Sequence, residues 1–191
     1  MKRRSFIKGT SAASLATATS LFTGINAQSL SSLDSSGPYH YVKSLKKSRQ
    51  MPGFLLNFIA TKKETNGAFA LIEGRARKGG EPSLHVHEHE DEAFYMLEGE
   101  MMVTIGEEEF HVKPGDFIFL PRQIPHTQKF LTETVHVLLF ISPAGLEEYF
   151  WNLSAAAENF EIPALSTTPP TEEQMKIMME MNAKYGISIS R

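Results

Sequence analysis

Gly79-Gly80-Glu81-Pro82-Ser83-Leu84-His85-Val86-His87-Glu88-His89-Glu90-Asp91-Glu92 holds three of the chain's seven histidines within five residues and ends on a carboxylate. Side chains two apart on a strand point to the same side, so His85 and His87 can converge on one ion. A strand that stayed regular to residue 89 would bring His89 inward as well, near the rim. Glu92 is out of phase with His85 and His87, so the chain must bend between them, and Glu88-His89-Glu90-Asp91 can supply the bend. Asp91 is the competing carboxylate. Imidazole and carboxylate together suit a borderline divalent transition metal: Fe, Mn, Ni, Co, Cu or Zn. A further histidine, His126, follows a turn-like Lys113-Pro114-Gly115-Asp116 and a strand-like Phe117-Ile118-Phe119-Leu120. His40, His111 and His136 are read as ordinary polar histidines, with His111 exposed and His136 able to face either side of its strand.

Outward from this stretch the pattern is one of short apolar runs broken by turn residues. Strands are expected at 54–61, 68–77, 83–87, 93–97, 101–105, 109–113, 117–120, 126–131 and 135–141. The breaks fall at Asn66-Gly67, Gly79-Gly80, Glu98-Gly99, Gly106, Pro114-Gly115 and Pro121/Pro125. Many short strands with regular Gly/Pro turns indicate an all-β sandwich or barrel. Phe54, Phe58, Phe117 and Phe119 are expected in its core. The tail differs. Residues 145–153 have helical spacing, and Thr171-Glu172-Glu173-Gln174 is a capping-box pattern that opens a second helix ending near Gly186. Met175, Ile177, Met178, Met181 and Tyr185 form its apolar stripe, which is expected to pack on the outside of the barrel or on a partner subunit.

The chain has 191 residues, 41% of them hydrophobic and 21% charged, enough for one domain with extras. It has no cysteine, which excludes disulfides, thiolate zinc sites, iron–sulfur ligation and a cysteine nucleophile. Any metal must be held by nitrogen and oxygen. The net charge of −3 and the absence of a basic stripe argue against a nucleic-acid partner. Residues 1–27 have the layout of an export signal: basic Lys2-Arg3-Arg4-Ser5-Phe6-Ile7-Lys8, a mildly apolar stretch, then a small residue before Gln28. Arg3-Arg4-x-Phe6-Ile7-Lys8 resembles a twin-arginine signal, so the expected location is periplasmic or otherwise exported. Without these residues the chain loses Lys2, Arg3, Arg4 and Lys8, and its formal charge moves from −3 to −7. No membrane association is expected of the mature form. The expected organisation is a signal at 1–27, a flexible lead at 28–38, a barrel at 39–142 and a helical extension at 143–191.

The spacing in two blocks resembles the cupin superfamily. In the first, Gly79 is followed after five residues by His85, then His87, then after four residues Glu92, and after six more Gly99. In the second, Gly115, Pro121 and His126 match. Two positions depart: the glycine usual two residues after the proline is Gln123, and the terminal asparagine is Phe130. Neither is a ligand position, so the departures put turn geometry in doubt rather than the site. The resemblance implies a jelly-roll (double-stranded β-helix) barrel with C-terminal helices. Its metal ligands would be His85, His87, Glu92 and His126, with His89 beside that set or exposed. Gly99 falls at the family spacing for Glu92 and not for Asp91. Four ligands would leave one or two positions open on a six-coordinate ion.

The stretches 79–100, Ser142-Pro143-Ala144-Gly145-Leu146-Glu147-Glu148-Tyr149-Phe150 and Lys184-Tyr185-Gly186-Ile187 look like single-domain cupins of the quercetin 2,3-dioxygenase-like group. That resemblance implies oxygen-dependent cleavage of a flavonol or similar enolic or phenolic small molecule, with Glu92 both ligand and catalytic base. Two other readings stand beside it. One is a different metal-dependent cupin enzyme, an isomerase, epimerase or decarboxylase. A phosphosugar substrate would want a cation inside the barrel, with Arg75, Arg77, Arg122 and Lys129 as candidates. The other is a non-catalytic small-molecule-binding cupin. Pairing through edge strands leaves a homodimer open. For the signal, replacing Arg3-Arg4 by Lys-Lys is expected to block export of a fused reporter; unimpaired export would point to the general secretory route.

Overall fold

The computed structural model describes residues 37–189. The signal read at 1–27 and nearly all of the lead at 28–38 lie outside the described residues. In chain order the elements are β1 (Ser48–Met51), β2 (Phe54–Ala60), α1 (Lys62–Thr65), β3 (Ala70–Arg77), β4 (His85–His87), β5 (Asp91–Glu98), β6 (Met101–Ile105), β7 (Glu108–Val112), β8 (Phe117–Leu120), β9 (His126–Phe130), β10 (Thr134–Ser142), α2 (Glu147–Leu153), β11 (Ala155–Ala156), α3 (Glu172–Lys184) and β12 (Ile187–Ile189).

The strands form two antiparallel sheets, ordered β11-β1-β2-β3-β10-β5-β8 and β12-β4-β9-β6-β7. This is the expected all-β jelly roll with C-terminal helices. Alternation builds it: on β3, Ala70, Ile72, Gly74 and Ala76 are buried while the residues between them are not. Two apolar clusters join the sheets. One gathers Met96, Ile118, Leu120 and Val135 from the larger sheet and Met101, Val103, Val112 and Phe130 from the smaller. The other gathers Leu56, Phe58, Ile72, Leu139 and Ile141 with Leu146, Tyr185 and Ile187 from the tail. Phe94 packs against both. Each fully buried side chain of this size stabilises the fold by about 1.5–3 kcal/mol relative to exposure.

Turn chemistry explains the positions of particular residues. Gly99 turns β5 into β6 at φ 80, and a Cβ there would collide with the Thr134 carbonyl. Gln123, which stands where the resembled motif has glycine, adopts φ 64 and donates its backbone N–H to the His87 carbonyl at 2.8 Å. The turn therefore keeps its left-handed geometry, at a cost of about 1–2 kcal/mol for a residue with a Cβ.

Three expectations are corrected. Phe117 and Phe119 are not core; they are 65% and 51% exposed, because β8 turns Ile118 and Leu120 inward instead. The α3 stripe packs only in part: Tyr185 is buried and Met181 joins the core cluster, but Met175, Ile177 and Met178 are exposed, as is Met179 beside them. The segment 143–191 is not purely helical, since β11 pairs with β1 and β12 pairs with β4. Strands of two and three residues are too short for a period to register in sequence.

At the start of α1 the Glu64 carboxylate accepts from the Thr61 backbone N–H at 2.9 Å and from its hydroxyl, and pairs with Lys47 at 2.9 Å. Burial pushes the Glu64 carboxyl up, but the bonds from Thr61 and Lys47 outweigh it and hold it down from 4.5 to about 2. A depressed carboxylate contributes stability that is present above its unfolded value and is lost as pH falls through its folded value. Glu64→Gln should therefore lower stability near neutrality and flatten its fall between pH 4.5 and about 2, read by denaturant unfolding across that range.

Candidate metal centre

β4 is three residues long, and its buried–intermediate–buried pattern turns His85 and His87 to the interior together. β9 lies beside it, with His126 directly opposite His85. The bend required after His87 falls at residues 88–90, after which β5 belongs to the other sheet and turns Glu92 inward. His85, His87, Glu92 and His126 are all buried, and one ligand atom of each lies within 4.8 Å of the others. The imidazole rings of His85 and His126 are 4.4 Å apart, centre to centre. Nε2 of His87 and Nε2 of His126 each approach Glu92 Oε2 to 3.5 Å.

Hydrogen bonds fix the imidazoles. Nδ1 of His85 lies 2.8 Å from the Ser83 carbonyl, and Nδ1 of His126 lies 3.0 Å from the Ile124 carbonyl. A carbonyl can only accept, so both Nδ1 atoms carry the proton and both Nε2 lone pairs are left for another partner. Nε2 of His126 and both ring nitrogens of His87 are buried without a hydrogen bond. Buried polar atoms are ordinarily paired. Three inward imidazoles with free nitrogens and one carboxylate fit a borderline divalent ion, and the chain has no thiolate to offer a softer one. Burial, with His126 and His87 alongside, pushes His85 down to about 4, which keeps it neutral as a ligand must be. Burial alone would raise the Glu92 carboxyl, but His87 and His126 hold it well below the usual carboxylate range. His87 is the converse case: burial lowers it, and Glu92 raises it further than burial lowers it.

The other sequence candidates lie elsewhere. His89 is exposed, with its nearest acid Glu88 at 3.9 Å. Asp91 points away and pairs with Arg122 at 2.8 Å. His111 is exposed and pairs with Glu100, and His136 bonds Glu73 at 2.9 Å on the outer face of the larger sheet. Glu90 was not anticipated. It is buried, its Oε2 is unpartnered, and burial raises its carboxyl. Its place in an acidic run suggests solvent exposure, and no local signal marks it otherwise.

A cavity of about 760 Å³ opens from His85, His87 and Glu92 between the two apolar clusters. Its wall includes Leu56, Ile72, Phe94, Met101, Phe130 and Leu139, and it reaches Ile177 and Met178 of α3. Of the four cations weighed from sequence, Arg75 alone touches this wall. Arg77 bonds the Ile162 and Pro163 carbonyls, Arg122 is tied to Asp91, and Lys129 is exposed.

Residues 74–142 match the family model described as the cupin domain. The chain is 28% identical over 131 residues to a quercetin 2,3-dioxygenase of Bacillus subtilis, covering 68% of this chain and 39% of that protein. It is 39% identical over 57 residues to an uncharacterised protein of Methanocaldococcus jannaschii, covering 30% and 46% respectively. The chain thus spans less than half the length of either curated relative. Among solved structures, KdgF from a Halomonas species superposes with a TM-score of 0.51 at 19% identity, over 58% of this chain and 99% of that one. That likeness concerns the fold alone.

His126→Ala removes one of the four converging donors. Metal content after loading and desalting is expected to drop at least about tenfold, since loss of a ligand costs more than loss of its hydrogen-bond partner. Unchanged content by elemental analysis would remove His126 from the set.

Proposed function

We propose, for a chain whose residues 74–142 are a cupin domain, that the protein is a metal-dependent dioxygenase cleaving a flavonol-like or other enolic or phenolic small molecule with O2. The observation that carries this reading is the junction of the buried three-histidine, one-glutamate cluster with a large apolar cavity. The relationship to a quercetin 2,3-dioxygenase supports it. Such a cavity suits an aromatic substrate. A phosphorylated sugar would need cations at the wall, and among the described residues Arg75 is the only Lys or Arg there.

When bound, a divalent ion would supply a template and charge stabilisation for the substrate's oxygen. His85 and His126 hold their place through pairing of β4 with β9 and through carbonyls on Nδ1, and His87 through pairing of β4 with β12. Glu92 faces the same point from the opposite sheet, and its ionised carboxylate is the group placed to take a substrate proton; the imidazoles that hold it down also weaken it as a base, so the substrate must itself be acidic, as an enol or phenol beside a divalent ion would be. Leu56, Phe94, Phe130 and Leu139 keep the deprotonated ring out of water. Both atoms of O2 are incorporated as the ring opens. The substrate supplies the four electrons, and no external reductant is required.

Export through the twin-arginine route, which carries folded proteins, fits this reading, because the protein would load its ion before leaving the cytoplasm. The test is oxygen uptake by metal-loaded protein across a panel of flavonols and catechols. Uptake with a ring-opened product is expected. Absence of uptake with metal confirmed bound would leave a non-oxidative enzyme or a binding protein. Glu92→Gln should keep the fold and much of the metal while losing at least about 100-fold in turnover, because the base is gone.

A further inference from the structure

The cavity wall contributed by β6, β9 and β10 is apolar at Met101, Phe130, Val135, Val137 and Leu139, and polar at one position, Gln128. Gln128 lies on β9 two residues after His126, on the same side of the strand, and is only 6% exposed. Its neighbours on the strand are bonded: Thr127 Oγ1 donates to the Pro82 carbonyl at 2.9 Å, and the Phe130 N–H donates to Glu81 Oε1 at 3.0 Å. The other amides at the cavity are bonded as well. Asn152 Nδ2 donates to the Tyr185 hydroxyl at 3.2 Å, and Gln174 Oε1 accepts from the Thr171 N–H at 2.9 Å. The Gln128 carboxamide makes no hydrogen bond among the described residues.

A primary amide offers two donors and an acceptor, and those of Gln128 are not among the polar atoms sealed from solvent, so they are open to the cavity it lines. A polar group entering the cavity can pair with them without breaking any bond within the protein. A strand rises about 3.4 Å per residue, which puts Gln128 about 7 Å along β9 from His126.

We propose that the Gln128 carboxamide is the cavity's second anchoring point and recognises an oxygen function on the ring of the substrate remote from the metal centre. The ligand class is then a flat apolar polyphenol with two separated oxygen groups. One would be the acidic hydroxyl at His85, His87, Glu92 and His126, and the other a hydroxyl or carbonyl that pairs with Gln128. This rests on the enolic or phenolic reading of the site, and it adds that Gln128 determines which such molecule is preferred.

Calorimetric binding to zinc-loaded protein tests it, since zinc does not undergo redox change and binding is read without turnover. The probes are quercetin, which carries hydroxyls on its outer rings, and 3-hydroxyflavone, which lacks them. The protein is expected to prefer quercetin by about tenfold, the worth of one good hydrogen bond in a dry site. Gln128→Leu and Gln128→Met should bind the two probes equally, with zinc content and melting temperature no lower than those of the unsubstituted protein. A preference kept in both variants, or no binding of either probe by the unsubstituted protein, overturns the assignment. Lost preference without oxygen uptake by the iron-, manganese-, nickel- or cobalt-loaded protein would uphold Gln128 while rejecting the dioxygenase. Uptake with an unaltered preference would do the reverse.

Discussion

Convergence of side chains from two sheets on one point is the constraint around which this molecule is arranged. His85, His87 and His126 come from the five-stranded sheet, and Glu92 comes from the seven-stranded one. Their donor atoms can approach within 4.8 Å only if the sheets close together at this end. Closure there leaves imidazole nitrogens buried without partners, a loss the fold bears unless something binds them. Elsewhere the sheets are held by ordinary apolar burial, and the two clusters meet through Phe94 rather than merging into one core. The space left between them is the cavity. Site and cavity are therefore two results of one geometry, and neither is an insertion on a finished barrel.

The tail takes part in this arrangement. α2 sets Trp151 edge-to-face with Phe58 at 5.0 Å, against the cluster that holds Leu56, Phe58 and Ile72. α3 brings Ile177 and Met178 to the cavity while leaving Met175 and Met179 in solvent. Methionine is unbranched and adapts its shape at little cost. Elsewhere on the cavity wall Met101 and Phe130 are held opposite each other in sheet register.

Much of this was legible in the sequence because it rests on local chemistry. Short apolar runs place β6 and β8 at the residues expected, and the glycine and proline breaks mark the turns. The four converging side chains were legible through the resemblance of two blocks to the cupin motifs, which implies that His126 joins His85 and His87 and that Glu92 rather than Asp91 is the carboxylate. What was not legible depends on long-range partners. Phe117 and Phe119 look like core because aromatic runs usually are, but which side of β8 faces inward is settled by β5 alongside it. β12 is three residues long and becomes a strand only because β4 offers it an edge. Glu90 sits in an acidic run and is buried by a bend that no local rule predicts. Gln128 shares the period-2 side of His126, so strand geometry alone marks it as inward-facing.

The pairing of β12 with β4 has a temporal consequence. Ile187 lies opposite His87 and Ile189 opposite His85, so the strand bearing two of the four converging side chains is flanked by one made about 100 residues later. A nascent chain that has emerged through residue 142 holds all four of those residues but still leaves β4 as an open edge. That edge is covered only once β12 has been made as well. The interval between synthesis of β4 and of β12 is therefore when the half-finished sheet is most exposed to association with other chains.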